Sequence, residues 1–279
     1  PKEPELKAEI PPKIVSPNTK TEPKLVAKRA IVSYKQLLQE PLLRFGNPPY
    51  YPDRALAMSI EGRIVVKILV DERGRAVQTE KIGILLAREL LKLRRGPVLA
   101  NVPCSMVLED EIPKLGAELV WIRVGDVFVC EELKKHDAVL ALEISAHLFA
   151  PDLTEFLFDD PLIISLKVAE LLHGSGRTLA ALADEIPSLP YEELKFTCPD
   201  EIKFDLNAAL QADFTQRGYR VETIDGVKVW LDDGWVLLRP SNTQPVMRMF
   251  VEARTPERML EIKTEFINEY EKTLASLSG

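Results

Sequence analysis

Two Asp-Gly steps near the carboxyl end constrain the fold of this chain more than any other feature. Asp225-Gly226 and Asp233-Gly234 each lie between short alternating runs of apolar and polar residues. An Asp-Gly pair in that position is a strong signal for an antiparallel hairpin. We therefore expect an antiparallel four-stranded meander, with strands over 219–223, 227–231, 235–239 and 246–252. Helices near 205–217 and from Thr255-Pro256 onward complete a small α+β domain at 191–279.

The middle of the chain follows a different pattern, in which predicted strands and helices alternate. Apolar residues recur at helical spacing over 80–93, and Gly96-Pro97 stops that helix. The predicted strands cover 98–101, 117–124 and 138–143, and the predicted helices cover 107–115, 130–136, 161–173 and 178–185. This alternation predicts a parallel or mixed sheet with helices on its faces, that is, a three-layer α/β/α domain at 80–190.

The first fifty residues have a composition unlike the rest of the chain. They hold nine of the 21 prolines, and lysine and glutamate fill much of the space between them. Such a segment cannot bury enough apolar surface to offset the entropy of ordering, so we expect a Pro-rich extended tail or linker at 1–47. Helical spacing favours a helix around 31–44, and residues 48–79 are predicted to add a short helix and a strand.

Charge and cysteine content exclude several classes of protein. The 43 acidic residues exceed the 36 basic ones, and the net charge of -7 argues against nucleic acid as a partner. No apolar run reaches about 18 residues, so we expect no membrane span. Three widely spaced cysteines, Cys104, Cys130 and Cys198, fit reduced thiols, and the sequence therefore predicts a cytoplasmic protein.

The segment Arg239-Pro-Ser-Asn-Thr-Gln-Pro245 is the strongest candidate for a binding site. An arginine, two hydroxyls and an amide lie within five residues, and prolines on both sides restrict the loop. Arg239 can bind a phosphate through two hydrogen bonds, while Ser241, Thr243 and backbone N–H groups can donate to the remaining oxygens. By composition alone, an ordinary polar hairpin loop is the more common explanation for such a run.

A second candidate, Glu143-Ile-Ser-Ala-His147, begins at the end of the predicted strand at 138–143. Open α/β sheets bind ligands beyond the carboxyl ends of their strands, and Glu143 and Ser145 suit the hydroxyls of a sugar. On spacing alone, a strand end whose glutamate and histidine face water is the more common explanation.

Other polar motifs carry less weight. The turn Arg123-Val-Gly-Asp126 follows a predicted strand, but glycine and aspartate are common in such turns without any function. Asp159-Asp160 could suggest a metal pair, but acidic residues before a helix are usually N-terminal caps. His136 and His173 have no ligand partners at useful spacing, and we expect both to be structural or exposed.

In chain order, the turn at 123–126, the Glu-x-Ser-x-His stretch at 143–147 and the loop at 239–245 resemble motifs of the α-D-phosphohexomutases, the phosphomannomutase and phosphoglucomutase enzymes. The resemblance covers about 71–276 and corresponds to the third and fourth domains of that family. It implies a mutase-type α/β/α domain followed by a phosphate-binding domain. It also implies an isomerase that moves a phosphoryl group between O1 and O6 of a hexose, with a phosphoserine and magnesium.

The same resemblance assigns roles to individual residues. The implied phosphate-binding residues are Arg239, Ser241, Asn242, Thr243 and Arg248. The implied sugar-binding residues are Glu143, Ser145, His147, Gly125 and Asp126. The ligand that the resemblance implies is a small hexose phosphate.

Two parts of the family's catalytic apparatus do not occur in these 279 residues. No Thr-Ala-Ser-His-Asn nucleophile segment is present, and Ser59-Ile-Glu-Gly-Arg63 stands where the magnesium loop Asp-x-Asp-x-Asp-Arg is expected. We therefore assign no catalytic residue and no metal ligand, and we expect binding of hexose phosphate rather than turnover, unless a partner chain supplies the missing half. Ala146 in place of a glycine and Gln244 in place of a glutamate are milder departures.

Residues 48–80 resemble the start of a TonB C-terminal domain, in which a Tyr-Pro-x-x-Ala helix leads to Glu-Gly and then to a hairpin. The Pro/Lys/Glu-rich residues 1–30 likewise resemble the periplasmic spacer of TonB. The alternative function is therefore a TonB-like periplasmic interaction module fused to a mutase remnant, in which a hairpin at 63–78 offers an edge strand for pairing with a partner peptide. A degenerate second mutase domain is the competing explanation for 48–79.

Overall fold

The computed structural model describes residues 76–154 and 157–278, all of which fall within the unit Gly46–Gly279. The predicted tail at 1–47, with its helix around 31–44, lies outside the described residues. So does the TonB-like or mutase-like segment up to residue 75, including Ser59–Arg63. These expectations remain predictions.

The first half of the described chain alternates strands with helices. Its elements are α1 (Thr79–Leu93), β1 (Val98–Asn101), α2 (Val107–Glu111), a 3-10 turn (Pro113–Leu115), β2 (Leu119–Ile122), α3 (Asp126–His136), β3 (Leu140–Leu142), β4 (Leu148–Phe149), a second 3-10 turn (Pro151–Leu153), α4 (Pro161–Ser175) and α5 (Leu179–Ala183).

These strands form a mixed sheet in the order β2–β1–β3–β4. Strand β1 runs parallel to both β2 and β3, and β4 pairs with β3 in the antiparallel direction. Side chains alternate along a strand, so Val98 and Ala100 pack towards α1, α4 and α5, while Leu99 packs on the opposite face with α3. The predicted three-layer α/β/α domain is therefore confirmed.

The details of this half differ from the sequence prediction at three places. Strand β4 was not predicted, and α3 begins at Asp126 instead of residue 130. The single helix predicted over 107–115 is divided between α2 and the 3-10 turn that follows it. Pro113 explains that division, because proline has no N–H to donate and its ring clashes with the preceding turn of an α-helix.

The second half is built on an antiparallel sheet. Its elements are β5 (Tyr191–Thr197), α6 (Asp200–Gln216), β6 (Arg220–Glu222), β7 (Val227–Leu231), β8 (Gly234–Pro240), β9 (Val246–Ala253) and α7 (Pro256–Ser278). The strand order is β5–β9–β8–β7–β6. The predicted four-stranded meander is thus confirmed as β6 to β9, and β5 adds a fifth strand beside β9.

The two faces of this antiparallel sheet have different neighbours. Val236 and Leu238 pack against α6 and α7 on one face. Trp235 and Leu237 lie on the other face and pack against Val102 and Met106 of the α/β domain. The second face of the sheet is therefore the contact between the two domains.

Polar contacts also join the two domains. Lys228 Nζ donates to the carbonyl of Val102 at 2.7 Å, and Met106 N–H donates to Glu252 Oε2 at 2.8 Å. These contacts fix the segment that follows β1 against the antiparallel sheet. No helix among the described residues has both the length and the apolar character that crossing a bilayer would require.

Candidate functional site

Glu143 lies at the carboxyl end of β3 and is held by the ends of two other parallel strands. Its side chain is buried, with 2% of the residue exposed. Oε1 accepts hydrogen bonds from Asn101 Nδ2 at 3.1 Å and from Gly125 N–H at 2.9 Å. Asn101 ends β1 and Gly125 follows β2, so the residues that converge here come from three neighbouring strands. Open α/β sheets bind ligands beyond the carboxyl ends of their strands, and these residues lie at that edge of the sheet.

Asn101 was not predicted as a site residue. Its Oδ1 accepts hydrogen bonds from Ile144 N–H at 3.2 Å and from the Cys104 thiol at 3.0 Å. Burial raises the pKa of Cys104 well above its usual value, and the charges of Glu80 and Glu143 raise it further, so the thiol stays protonated. A polar residue at the end of a fully buried strand was the signal in the sequence that could have identified Asn101.

The stretch 143–147 is a tight turn between β3 and β4. Ala146 N–H donates to the carbonyl of Glu143 at 3.0 Å, and Glu143 N–H donates to the carbonyl of His147 at 2.9 Å. Ala146 has φ 75°, the left-handed conformation that favours glycine in turns of this kind. Ser145 is exposed at the tip of the turn.

His147 extends from this turn towards the start of α4. Its Nδ1 lies 2.6 Å from Asp159 Oδ2. Asp160 instead caps α4, because its carboxylate accepts from the backbone N–H groups of Leu162 and Ile163. The cap expected for the Asp159-Asp160 pair is therefore provided by Asp160 alone.

Asp126, His147 and Asp159 offer ligand atoms that all lie within 4.8 Å of one another. Among the described residues, this is the one group of three or more such side chains that could hold a metal. An imidazole with two carboxylates does not fit magnesium, which prefers oxygen ligands in an octahedron. The residues described therefore do not supply the magnesium site that the family resemblance implies.

Arg239 lies at the end of β8, on the sheet face that packs towards the α/β domain. It is 9% exposed, and its Nε donates to Asp225 Oδ2 at 2.8 Å. The sequence predicted an arginine available to an anion and did not predict this carboxylate. Within the described residues, the ion pair uses only Nε, and both terminal nitrogens of the guanidinium have no protein acceptor.

Asp225 connects this arginine to the α/β domain. The same Oδ2 also accepts from Val124 N–H at 3.0 Å, next to the Gly125 N–H that donates to Glu143. The adjacent N–H groups of Val124 and Gly125 therefore connect Glu143, through Asp225, to Arg239 across the boundary between the two domains.

The loop 240–245 closes on itself beside Arg239. Ser241 is buried, its N–H donates to the carbonyl of Val246 at 3.0 Å, and its Oγ lies 3.4 Å from Thr243 N. Asn242, Thr243 and Gln244 are exposed. Ser241, Asn242 and Thr243 thus lie in one short loop that follows Arg239, and their role in binding phosphate remains a prediction.

Arg248 lies directly opposite Arg239 in the register of β8 and β9, and Lys195 of β5 lies opposite Arg248. Glu193 Oε1 is 3.7 Å from Arg248 Nη1 and 3.8 Å from Lys195 Nζ. Like charges directly opposite each other on neighbouring strands are destabilising, and Glu193 and Asp225 offset two of these three cations, so the row keeps one excess positive charge. Lys195 was missed because β5 itself was not predicted.

Comparisons with known proteins identify both domains. Residues 78–189 match the family profile described as phosphoglucomutase/phosphomannomutase, alpha/beta/alpha domain III. Residues 193–269 match the profile of the phosphoglucomutase/phosphomannomutase C-terminal domain.

Individual relatives agree with these profiles. A "Probable phosphoglucosamine mutase" of Methanopyrus kandleri is 34% identical over 218 residues, which cover 77% of this chain and 48% of that protein. A protein of the same description from Pyrococcus horikoshii is 34% identical over 215 residues, covering 76% and 47%. A crystal structure of a phosphoglucomutase/phosphomannomutase family protein from Burkholderia thailandensis has a TM-score of 0.66 and 28% identity, covering 72% of this chain and 43% of that one. The chain thus spans about half the length of the curated relatives it matches.

Proposed function

Since this chain belongs to the phosphoglucomutase/phosphomannomutase family and carries its domain III and C-terminal domain, we propose that the two domains together bind a hexose phosphate in the crevice between them. The observation that carries this proposal is the series of hydrogen bonds from Glu143 through the turn at 124–125 and Asp225 to Arg239. These hydrogen bonds link the side chain that we propose for the sugar with the side chain that we propose for the phosphate.

The phosphate end of the proposed site consists of the loop 240–245 and the cations beside it. Arg239 presents two terminal nitrogens, whose planar geometry matches two phosphate oxygens. Asp225 fixes the guanidinium through Nε, so the arginine loses little side-chain entropy on binding. Asn242 and Thr243 are exposed next to it, and Arg248 adds positive charge from the neighbouring strand.

The sugar end consists of Glu143 and the turn that follows it. Glu143 Oε1 is occupied by Asn101 and Gly125, and no donor among the described residues reaches Oε2. That oxygen can accept a hydrogen bond from a sugar hydroxyl, with Ser145 and His147 beside it. The N–H of Gly125 orients the Glu143 side chain. A carboxylate oxygen of Asp126 lies within 4.8 Å of a ring nitrogen of His147.

The relatives suggest which hexose phosphates to test. Two are described as phosphoglucosamine mutases, and a protein of Thermococcus kodakarensis, 31% identical over 198 residues, is described as a phosphoglucomutase/phosphomannomutase. Glucosamine, glucose and mannose phosphates are therefore the ligands that we propose. For residues 1–279 alone we propose binding without turnover, because phosphoryl transfer needs an acceptor in place and no Thr-Ala-Ser-His-Asn segment occurs here.

Thermal unfolding with and without each hexose phosphate tests this proposal. A ligand at about 100 times its dissociation constant stabilises a protein by about 2.7 kcal/mol, so the wild type should melt at a higher temperature. Arg239→Ala should lose this shift, while Arg258→Ala, which removes an arginine of α7 paired with Asp233, should keep it.

Two outcomes would contradict the proposal. One is the absence of any shift at high millimolar ligand, and the other is an equal shift in Arg239→Ala. A coupled mutase assay on the same protein, with magnesium and a bisphosphorylated hexose, should detect no isomerisation. Robust turnover there would show that binding alone is too narrow a description.

A further inference from the structure

Lys203, in the first turn of α6, is buried where a lysine is costly. The residue is only 3% exposed, and removing an ammonium group from water is unfavourable unless its hydrogen bonds are replaced. It also lies at the amino end of a 17-residue helix, where the partial positive charge of the backbone disfavours a cation. A lysine in this position therefore needs specific partners to offset both costs.

The partners of Lys203 are on the loop that follows β8. Its Nζ donates to Asp200 Oδ1 at 2.6 Å, to the carbonyl of Gln244 at 3.2 Å and, in a short contact, to the carbonyl of Ser241. An ammonium group has three donors, and these three acceptors use all of them. Lys203 therefore has no donor left for a ligand and can act on one only through the loop.

The contact with Ser241 sets the direction of the next peptide group. In a planar trans peptide the C=O and the N–H point in opposite directions. Because the carbonyl of Ser241 points to Lys203, the N–H of Asn242 points away from α6. Asn242 is exposed, and its N–H has no acceptor among the described residues. An outward backbone N–H beside Arg239 is the kind of donor that binds phosphate oxygens.

We infer that Lys203 is a positioning residue for phosphate binding, which holds the loop 240–245 so that the N–H of Asn242 donates to the ligand's phosphate. This inference rests on the proposed function and adds to it a residue that makes no contact with the ligand. It accounts for a buried lysine whose hydrogen bonds all lie within the protein.

The test is an amide-resolved NMR titration of the full 279-residue chain with inorganic phosphate and with glucose 1-phosphate. In the wild type, the amide resonance of Asn242 should shift as ligand is added. In Lys203→Met the dissociation constant should rise about tenfold or more, the value of one hydrogen bond to a charged group, and the Asn242 shift should be lost. Lys203→Gln keeps two donors and should bind with an intermediate affinity.

Lys263→Met is the matched control. Lys263, on α7, pairs with Glu192 at 2.8 Å, so this variant removes the same charge from the same domain without touching the loop. Its dissociation constant should stay within about twofold of the wild-type value.

The outcomes separate this inference from the proposed function. Unchanged affinity and an unchanged Asn242 shift in Lys203→Met would overturn the inference and leave the proposed function standing. Absence of any binding by the wild type would overturn both. Should Lys203→Met fail to fold, Lys203→Gln decides, and wild-type affinity in that variant would overturn the inference.

Discussion

At the residue scale, Ala146 shows how a single position can conflict with its backbone. The turn between β3 and β4 requires a left-handed residue, and Ala146 adopts φ 75° there. The sequence identified alanine as a departure from the family's glycine, but only the backbone reveals that the departure falls at a strained position. A left-handed L-residue costs about 1–2 kcal/mol, which the surrounding hydrogen bonds must offset.

We predict that Ala146→Gly stabilises the protein by about 1 kcal/mol. Glycine relieves the strain, and its greater freedom in the unfolded chain cancels part of the gain. Urea unfolding followed by tryptophan fluorescence measures the change. Ser145→Gly is the control, because Ser145 is not among the described residues with positive φ, and glycine there should destabilise the protein. A loss of stability in Ala146→Gly as large as in Ser145→Gly would contradict the prediction.

Residue types predicted which side chains belong to the candidate site better than they predicted the hydrogen bonds between those side chains. Glu143 and Arg239 could be identified because each is the last residue of a predicted strand and a polar stretch comes after it. Asp225 could not, because it belongs to the turn between β6 and β7 and meets Arg239 only when β7 and β8 pair. This contact depends on how closely the β6–β7 turn packs against β8, and the residues of the turn do not reveal that approach by themselves.

At the scale of elements, the hairpin signals correctly predicted strands, but the edge strand β5 was not predicted. The two Asp-Gly steps located β6, β7 and β8 because a tight turn restricts the backbone locally. Strand β5 has the sequence Tyr-Glu-Glu-Leu-Lys-Phe-Thr, whose charged residues reflect its position at the sheet edge. Its pairing with β9 joins residues that are about 50 to 60 positions apart in the chain, so the sequence of β5 carries little evidence of that pairing.

The turn between β6 and β7 packs closely against β8, beside the proposed phosphate site. Gly226 has φ 97°, and a Cβ there would lie 2.5 Å from the carbonyl oxygen of Leu238 and 3.0 Å from Arg239 Cα. The close approach of this turn to β8 therefore depends on the absence of a side chain. Because the neighbouring strand carries Arg239, any displacement of the turn moves the proposed phosphate site as well.

We predict that Gly226→Ala destabilises the protein by about 3 kcal/mol, from backbone strain and a steric clash together, and weakens phosphate binding. Gly218→Ala is the control, because Gly218 has φ 81° but no atom within 4 Å of its Cβ position. That variant should lose only about 1 kcal/mol, from strain, and should bind phosphate normally. Chemical denaturation and a phosphate titration give the two measurements, and equal effects in both variants would rule out the clash.

At the scale of the whole molecule, the two domains are joined around a buried lysine. Lys228 Nζ lies 4.3 Å from the ring centre of Trp121, 4.0 Å from that of Trp230 and 4.1 Å from that of Trp235. These are the three tryptophans of the chain, one from the α/β domain and two from the antiparallel sheet. Sequence patterns predicted each of the two sheets. They did not indicate that the tryptophans meet, because the packing of one domain on another joins residues that are far apart in the sequence.

This arrangement predicts a specific dependence of stability on pH. Burial lowers the pKa of Lys228 from 10.5 to about 7, and the nearby carboxylates of Glu222 and Glu252 oppose that shift. In the unfolded chain the lysine titrates near its ordinary value, so between about pH 7 and pH 10 the unfolded state binds one more proton than the folded state. The free energy of unfolding should therefore rise with pH over that interval.

Lys228→Met should remove this contribution. Above about pH 7, the free energy of unfolding of the wild type should rise relative to that of the variant by up to about 1.4 kcal/mol per pH unit. Below about pH 7, the difference between the two proteins should stay constant. Urea unfolding across this range measures the difference, and Lys272→Met, which removes an exposed lysine of α7, should behave like the wild type. Parallel pH profiles for the wild type and Lys228→Met would mean that Lys228 stays charged at the interface, stabilised there by the three aromatic rings and the carbonyl of Val102.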